Sequence, residues 1–155
     1  MAPKSEPIML SNRSHLGIVV KSVDKTANLL SSLFGIGPWE IQEITEYYKP
    51  EIKGTEELGV GEPFTLRVAF ADFGSMHIEL LEPLGTSVYS EFIRTNGEGL
   101  HHLAFNCPNW DEMVSEILKQ GGKILAGGYY QGNRWCFIQT KPGSIILEPL
   151  DNFDA

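Results

Sequence analysis

The apolar and polar positions along the chain follow two different periods. Apolar residues that recur every three or four positions predict helices, and short apolar or alternating runs between glycine, proline and polar residues predict strands. The predicted helices are 23–34, 88–93 and 110–120. The predicted strands are 15–20, 39–45, 64–73, 75–82, 102–107, 123–126, 134–140 and 144–150. The order of elements is therefore mixed, with helices set between strands.

Two further features concern the ends of elements. We expect Asp24 to cap the first helix and Gly35 to end it. Residues 46–63 contain two tyrosines, two prolines and three glycines, a composition that predicts a long loop. Tyr47 and Tyr48 could close over a substrate if this loop acts as a lid, but a plain connection is the favoured interpretation.

The order of one strand, one helix and three strands occurs twice, and the two copies match at a constant offset. The matching pairs are His15 and His102, Asp24 and Asp111, Leu30 and Ile117, and Gly35 and Gly122. The residues Leu-Glu-Pro-Leu also end both copies, at 81–84 and 147–150. This repeat indicates that the chain contains two related halves, about 14–84 and 99–150.

The two halves are expected to share one core, because neither is long enough to bury a good core alone. We therefore predict that residues 1–155 form a single α+β domain. Two βαβββ modules would build one open, curled mixed sheet with its helices on the outer face. Alternate strand residues would then line a concave pocket.

Composition and charge narrow the classes of function. With 42% hydrophobic and 21% charged residues, the chain is typical of a globular protein. A net charge of −8 at neutral pH disfavours binding to nucleic acids, and no apolar run approaches the roughly 20 residues of a membrane helix. The two cysteines, Cys107 and Cys136, are too few for a disulfide framework and are expected to be small buried residues. We expect a cytoplasmic protein.

The chain has four histidines, and two of them open the two halves. Equivalent positions on first strands would bring His15 and His102 face to face across the pocket. Because side chains alternate along a strand, His101 and His102 are not both expected to face inward, and His101 is expected to be structural or to point outward. His77 could face the pocket as an acid or base, or face solvent; neither alternative is favoured.

The last strand of each half supplies carboxylates. These are Glu79 or Glu82 in the first half and Glu148 in the second. Two imidazoles and two carboxylates suit one divalent ion such as Zn, Co, Ni, Mn or Fe(II), with coordination positions left for a chelating substrate. Glu79 and Glu82 differ in parity along the strand, and the repeated Leu-Glu-Pro-Leu favours Glu82. Arg134 could meet an anionic group of the substrate, although an ordinary turn is the favoured interpretation of its surroundings.

Four segments carry a resemblance to a known family. They are His-Leu-Gly-Ile-Val-Val at 15–20, Ile-Glu-Leu-Leu-Glu-Pro-Leu at 78–84, Gly-Leu-His-His-Leu-Ala-Phe at 99–105 and Gly-Asn-Arg at 132–134. In these segments the chain resembles the vicinal oxygen chelate superfamily, which includes glyoxalase I, methylmalonyl-CoA epimerase, extradiol dioxygenases and fosfomycin- and bleomycin-resistance proteins. The epimerase branch is the most similar. The resemblance implies that His15, Glu79, His102 and Glu148 bind the metal, and so it favours Glu79 over Glu82.

The resemblance also implies a reaction. A metal-dependent isomerase or lyase of this type removes a proton next to a chelated carbonyl. Glu148 is the expected base, and His77 is a candidate for a second acid or base. The most similar reaction is that of methylmalonyl-CoA epimerase, and the alternative is a glyoxalase I-like lactoylglutathione lyase. The implied partners are an acyl-CoA or a glutathione adduct as substrate, and a second copy of the chain in a homodimer.

Two other functions are weaker alternatives. An Fe(II) dioxygenase normally uses two histidines and one carboxylate, and a fourth protein ligand argues against it. A binding protein without catalytic activity, as in bleomycin sequestration, needs a pocket but no set of metal ligands.

Overall fold

The computed structural model describes residues 14–48, 63–130, 133–139 and 146–151, and the following account concerns these residues. They form strands β1 (His15–Val19), β2 (Glu40–Tyr48), β3 (Phe64–Phe73), β4 (Met76–Pro83), β5 (Gly99–Asn106), β6 (Lys123–Tyr130), β7 (Asn133–Gln139) and β8 (Ile146–Leu150). Helices α1 (Val23–Phe34), α2 (Val88–Asn96) and α3 (Trp110–Lys119) lie between them. Each predicted helix and strand is present. No helix of these residues is both long and apolar enough to span a membrane.

The strands form one mixed sheet in the order β1-β4-β3-β2-β6-β7-β8-β5. Within each half the first and last strands are parallel, β1 with β4 and β5 with β8, and the other neighbours are antiparallel. The two halves meet where β1 pairs with β5 in antiparallel fashion. This arrangement confirms the predicted α+β fold with two βαβββ halves.

The sheet departs from the predicted open form at a second meeting of the halves. Backbone pairing of Tyr47 with Tyr129 and of Tyr48 with Gly128 joins β2 to β6, so strand pairing continues around a closed ring. Both strands are longer than the sequence pattern predicts, and all four paired residues lie beyond the predicted strand ends. The predicted loop at 46–63 is therefore wrong for its first three residues. Residues 49–62, and with them the lid interpretation, lie outside the described residues.

Helix α1 begins and ends at small residues. Ser22, not Asp24, is the N-terminal cap: its extended backbone precedes the helix, and its Oγ accepts a hydrogen bond from the N–H of Lys25 at 3.3 Å. Asp24 already belongs to the first helical turn. The predicted end at Gly35 is confirmed, because this residue adopts the left-handed conformation (φ 67°) that favours glycine.

An ion pair that recurs in both halves attaches each main helix to the sheet. Asp24 of α1 accepts a hydrogen bond from Arg67 of β3 at 3.0 Å, and Asp111 of α3 accepts one from Arg134 of β7 at 2.8 Å. Arg134 also binds Asp151 and stacks on a tryptophan ring of α3. The guanidinium of Arg134 is thus held on the helix side of the sheet, and a role in binding a substrate anion receives no support.

The core has three parts. One cluster draws on the inner faces of seven strands and on Tyr89 of α2, and includes Trp135 and Phe137 of β7. The second lies between the sheet and α1, and the third lies between the sheet and α3, where Cys107 and Cys136 are buried free thiols as expected. Burial raises the pKa of the Cys107 thiol to about 11. The sides of the sheet that face α1 and α3, and its interior, are thus packed with apolar side chains. The main group of buried polar side chains lies in the interior, near the junction of β1 with β5.

Candidate metal centre

The register of the parallel strand pairs brings one histidine and one glutamate of each half to equivalent positions. Gly17, two residues after His15, pairs with Glu79 of β4. Ala104, two residues after His102, pairs with Glu148 of β8. Because the halves match at His15 and His102, Glu79 and Glu148 are equivalent residues of the two halves.

The repeated Leu-Glu-Pro-Leu is out of step with this structural equivalence by three residues. Glu82, which the repeat favours, lies on the other face of β4 and its Oε2 accepts a hydrogen bond from the N–H of Val23 at 2.8 Å. That contact satisfies one of the free N–H groups at the start of α1. Glu82 therefore belongs to the helix junction and not to the site, and the choice suggested by the internal repeat is wrong.

Four side-chain atoms converge at the junction of the two halves. The distance from Nε2 of His15 to Oε2 of Glu79 is 2.9 Å, and that from Nε2 of His102 to Oε2 of Glu148 is 3.0 Å. The crossed distances are 3.6 Å between His15 and Glu148 and 3.4 Å between His102 and Glu79. The two Nε2 atoms are 3.4 Å apart. Thus all four predicted ligands lie together, with their nearest donor atoms within 4.8 Å of one another.

These separations fit the chemistry of a divalent ion. Donor atoms about 2.0–2.2 Å from a common ion lie about 3.0–3.4 Å from one another, which is close to the distances seen here. The set is mixed nitrogen and oxygen, which suits Zn, Co, Ni, Mn and Fe(II). Glu79 and Glu148 are each only 8% exposed, and among the described residues their ion pairs come from the two histidines alone. Two buried carboxylates with neutral imidazoles beside them would carry a charge that a dication neutralises.

A β-bulge explains how two adjacent histidines are both buried on this side of the sheet. On β5, His102 pairs with Gly17 and Leu100 pairs with Ile18, so His101 is an extra residue without a partner on β1. His101 and His102 both contact the ring of Phe137, with centroids 4.8 and 4.9 Å away. The expectation from strict alternation is therefore wrong at this point, since a bulge interrupts alternation.

His101 is the structural residue that the sequence predicts, but it does not point outward. Its ring is 6% exposed and packs against Tyr89 and Phe92 of α2. Its Nδ1 lies 2.9 Å from Nδ1 of His102, so the two rings share a hydrogen bond. Burial, and next the charge on His102, lower the pKa of His101 to about 3, which keeps this ring neutral.

The four converging groups shift one another's pKa values. Burial by itself would lower the pKa of His15 and His102, but the charges of the glutamates and the hydrogen bonds to them outweigh it and raise both pKa values. Burial by itself would raise the pKa of Glu79 and Glu148, but the two histidines outweigh it and lower both. Without a metal ion the site therefore favours imidazolium and carboxylate forms.

The stability of the metal-free protein should consequently pass through a maximum with pH. The lowered carboxyl pKa values contribute stability above the ordinary value of about 4.3, and it is lost as pH falls through the lowered values. The raised histidine pKa values contribute stability below about 6.5, and it is lost as pH rises through the raised values. We expect urea midpoints in EDTA to be highest between about pH 4.5 and 6.5.

Metal ions should change this profile on its alkaline side. Ligation requires unprotonated imidazoles, so binding releases protons and tightens as pH rises. Urea midpoints with saturating Zn or Co are therefore expected to exceed those in EDTA by an amount that grows from pH 6 to pH 8. Two pH profiles that differ by a constant would mean that metal binding releases no protons. That result would contradict binding of the metal by the imidazoles of His15 and His102.

His77 lies near the four residues but outside their set. It precedes Glu79 by two residues on the same face of β4 and pairs across the strands with His15. Its Nδ1 forms an ion pair with Asp72 of β3, and its side chain is 38% exposed. The structure thus places His77 on the inner face of the sheet, and its side chain is partly exposed to solvent.

The sequence pattern does not identify Gly17 as a residue of this region. Gly17 interrupts an otherwise apolar strand, which is a known signal for close approach of another group. Asp72 alternates correctly with the inward residues of β3, but its partner His77 is recognised only once the register of β3 and β4 is known.

Comparison of the sequence with known proteins gives a match to a family model and to a bacterial relative. The family model described as Glyoxalase/Bleomycin resistance protein/Dioxygenase superfamily matches residues 14–138. The uncharacterized protein YqjC of Bacillus subtilis (strain 168) is 29% identical over 145 residues, which is 91% of each chain.

Solved structures with similar folds include several epimerases. A variant of Streptomyces coelicolor methylmalonyl-CoA epimerase in complex with 2-nitronate-propionyl-CoA has a TM-score of 0.64 and 22% identity, over 94% of this chain and 96% of that chain. The methylmalonyl-CoA epimerase of Mycobacterium tuberculosis has a TM-score of 0.59 and 22% identity, over 88% and 85% of the two chains. A hypothetical protein of Bacillus halodurans C-125 has a TM-score of 0.63 and 22% identity, over 93% and 94%. At this level of identity the likeness concerns the fold.

Proposed function

Because the chain belongs to the glyoxalase/bleomycin resistance protein/dioxygenase superfamily, we propose that it is a metal-dependent isomerase of the methylmalonyl-CoA epimerase type. It would remove a proton from the carbon next to the carbonyl of an acyl-CoA thioester and return one to it. The observation that carries the proposal is the convergence of two histidines and two glutamates, one of each from either half, in a buried site. Support for the substrate class comes from relatives of the same fold, solved with 2-nitronate-propionyl-CoA and with methylmalonyl-CoA.

In this proposal His15, Glu79, His102 and Glu148 hold one divalent ion, with Zn, Co, Ni, Mn and Fe(II) as the candidates. When bound, the ion would act as a Lewis acid on the substrate carbonyl and stabilise the charge of the enolate oxygen. The rest of the catalysis falls to the side chains. The side chains of the four groups are largely buried, and a site with little water strengthens their electrostatic effect on a bound substrate.

Proton transfer is assigned to Glu148 and His77. Glu148 is buried and ionised, since its two histidine neighbours lower its pKa, and an ionised carboxylate can accept the proton next to the carbonyl. His77 stands on the inner face two residues before Glu79, and its ion pair with Asp72 fixes the orientation of its ring. From that position it could deliver or remove a proton on a different side of the substrate, as inversion of configuration requires.

A glyoxalase I-like lactoylglutathione lyase is the second candidate. The specific observation in its favour is the carboxylate at Glu79: the set of two histidines and two glutamates resembles the glyoxalase I pattern, whereas many epimerases have a glutamine there. The two reactions share proton transfer next to a chelated carbonyl. They differ in the substrate, a glutathione adduct in place of an acyl-CoA.

The proposal also includes a cytoplasmic homodimer. Helix α1 carries three exposed apolar side chains on one side, Leu29, Leu33 and Phe34, which are 54–65% exposed. Phe34 fits the apolar spacing of α1 in the sequence, but its side chain does not face the core. A partner copy would cover this surface, and the mass of the protein in solution tests whether it does.

The deciding experiment measures metal in protein purified without added metal or chelator. We expect about one transition-metal ion per chain in the parent, and loss of that ion in both His102→Ala and Glu148→Ala. Glu82→Ala is the matched control, because Glu82 is a neighbouring strand glutamate outside the site, and it should retain the metal. The loaded parent is then assayed with methylmalonyl-CoA and with the methylglyoxal–glutathione adduct.

Each outcome has a clear meaning. Turnover of methylmalonyl-CoA alone supports the epimerase, and turnover of the glutathione adduct alone supports the lyase. A parent that takes up no Co, Ni, Mn, Zn or Fe(II) when each is offered would contradict the chelate mechanism. The chain would then be a ligand-binding member of the superfamily.

A further inference from the structure

The imidazole of His102 occupies the space where residue 17 would carry a side chain. The two residues are paired across the β1–β5 junction. A Cβ atom built on Gly17 would lie 2.0 Å from Cε1, 2.3 Å from Nε2 and 2.5 Å from Nδ1 of His102, and these three are its nearest neighbours. Real Cβ atoms essentially never approach so closely, so His102 can hold its position only above a glycine.

The backbone φ angle gives no separate reason for a glycine at this position. Gly17 lies beside the β-bulge, where the register of β1 with β5 shifts between Gly17 and Ile18, but it is not among the glycines with positive φ, which include Gly35 and Gly74. The equivalent residue of the second half is Ala104, which pairs with His15. A Cβ is thus accommodated beside one histidine of the pair and excluded beside the other.

The Nδ1 atom of the His102 ring is held by His101. The two Nδ1 atoms are 2.9 Å apart, so one must donate the proton and the other must accept it. His102 directs Nε2 toward the glutamates, and Nε2 must carry no proton if it is to bind a metal ion. Nδ1 of His102 is then the donor and Nδ1 of His101 the acceptor. The rings of Tyr89, Phe92 and Phe137 pack around His101 and keep its acceptor in place.

We propose that Gly17 and His101 are positioning residues for His102: Gly17 leaves the space for its ring, and His101 selects the tautomer with a free Nε2. Neither touches the reacting atoms. The part played by His101 rests on the proposed metal site. The part played by Gly17 concerns only the packing of two side-chain positions and holds with or without a metal ion.

A double-mutant cycle tests Gly17. Gly17→Ala, His102→Ala and the double variant are compared by urea unfolding in EDTA and by the dissociation constant for Zn, measured in competition with a chelator. We expect Gly17→Ala to lower the urea midpoint and to weaken Zn binding at least about 10–100-fold. In the His102→Ala background, which is expected to have lost the metal, the same change should leave the urea midpoint as it is, because the ring that excludes Cβ is absent.

Two outcomes of this experiment would overturn the proposal for Gly17. If Gly17→Ala lowers the urea midpoint by the same amount in both backgrounds, the glycine serves the backbone and the proposal for Gly17 is overturned. Parental Zn affinity in Gly17→Ala would overturn it as well. Because unfolding is measured in EDTA, the urea midpoints of the double-mutant cycle give an answer even if the parent protein binds no metal.

Two substitutions test His101. His101→Phe keeps an aromatic ring between Tyr89 and Phe137 but removes the acceptor, whereas Asn supplies an oxygen acceptor near the position of Nδ1. We expect His101→Phe to weaken Zn binding about 10–100-fold, and His101→Asn to restore most of that loss. In Zn-loaded parent protein, NMR should show a slowly exchanging proton on Nδ1 of His102, which is retained in His101→Asn and lost in His101→Phe.

Failure of this part is distinguishable from failure of the proposed function. A parent that binds Zn tightly while His101→Phe binds it equally well leaves the metal site intact and overturns the role of His101. A parent that binds no metal removes the proposed function and the role of His101 together. The Gly17 cycle then stands or falls by the unfolding data alone.

Discussion

Replacement of Glu148 by glutamine is expected to slow proton exchange on the substrate about 10²–10⁴-fold, the range typical for loss of a general base. Glutamine has nearly the same shape and keeps an oxygen donor in the buried site, so the fold should persist. It has no carboxylate, however, and the neighbouring histidines that hold the pKa of Glu148 low have no such anion to stabilise. The loss should therefore fall on the rate constant more than on substrate binding.

The measurement is hydrogen–deuterium exchange in D₂O at the carbon next to the thioester of methylmalonyl-CoA, on protein of known metal content. Glu82→Gln is the matched control. Glu82 has the same place in the other copy of the Leu-Glu-Pro-Leu sequence, but its carboxylate contacts the start of α1. Exchange in this variant should stay at the parental rate. Exchange in Glu148→Gln within about threefold of the parent, at equal metal content, would remove Glu148 from the role of base.

Truncation of Phe137 should produce the largest loss of stability: about 3–5 kcal/mol in the free energy of unfolding for Phe137→Ala. The side chain is 1% exposed at the centre of the inner cluster. Its ring contacts those of Trp135 and Tyr89 and both adjacent histidines, His101 and His102. Its removal leaves a cavity whose lining includes the rings that the site depends on.

Urea unfolding in EDTA measures this effect without a contribution from bound metal. Phe73 provides the control, because it is 50% exposed at the turn between β3 and β4, and its replacement by alanine should stay within about 0.5 kcal/mol. Phe137→Leu should lose less than Phe137→Ala, since leucine fills part of the cavity. A loss below about 1 kcal/mol for Phe137→Ala would mean that the inner cluster relaxes around the gap.

The elements and the repeat could be predicted from the chain because their signals are local. The period of apolar residues identifies α1 and α3, and the constant offset between His15 and His102 identifies the two halves. The choice between Glu79 and Glu82 is different in kind. A repeated four-residue sequence favoured Glu82, but the residue that reaches the site is decided by the register of β4 against β1.

Two features of the sheet that escaped prediction depend on pairing between residues far apart in the chain. The bulge at His101 arises where β5 meets β1, and it overrides the alternation that holds within an isolated strand. The closing contact of β2 with β6 appears only where both strands run on past their apolar cores. In each case the deciding neighbour comes from the other half of the chain.

The division of the four donor residues between the halves has a consequence for ancestry. A chain half as long, with one histidine and one glutamate, could complete the same set only by joining a second copy about a two-fold axis. Its site would then be lost on dilution. Covalent fusion of the copies makes the pairing intramolecular, at an effective concentration of about millimolar or above. Fusion also frees each copy to diverge, as glycine at position 17 and alanine at position 104 illustrate.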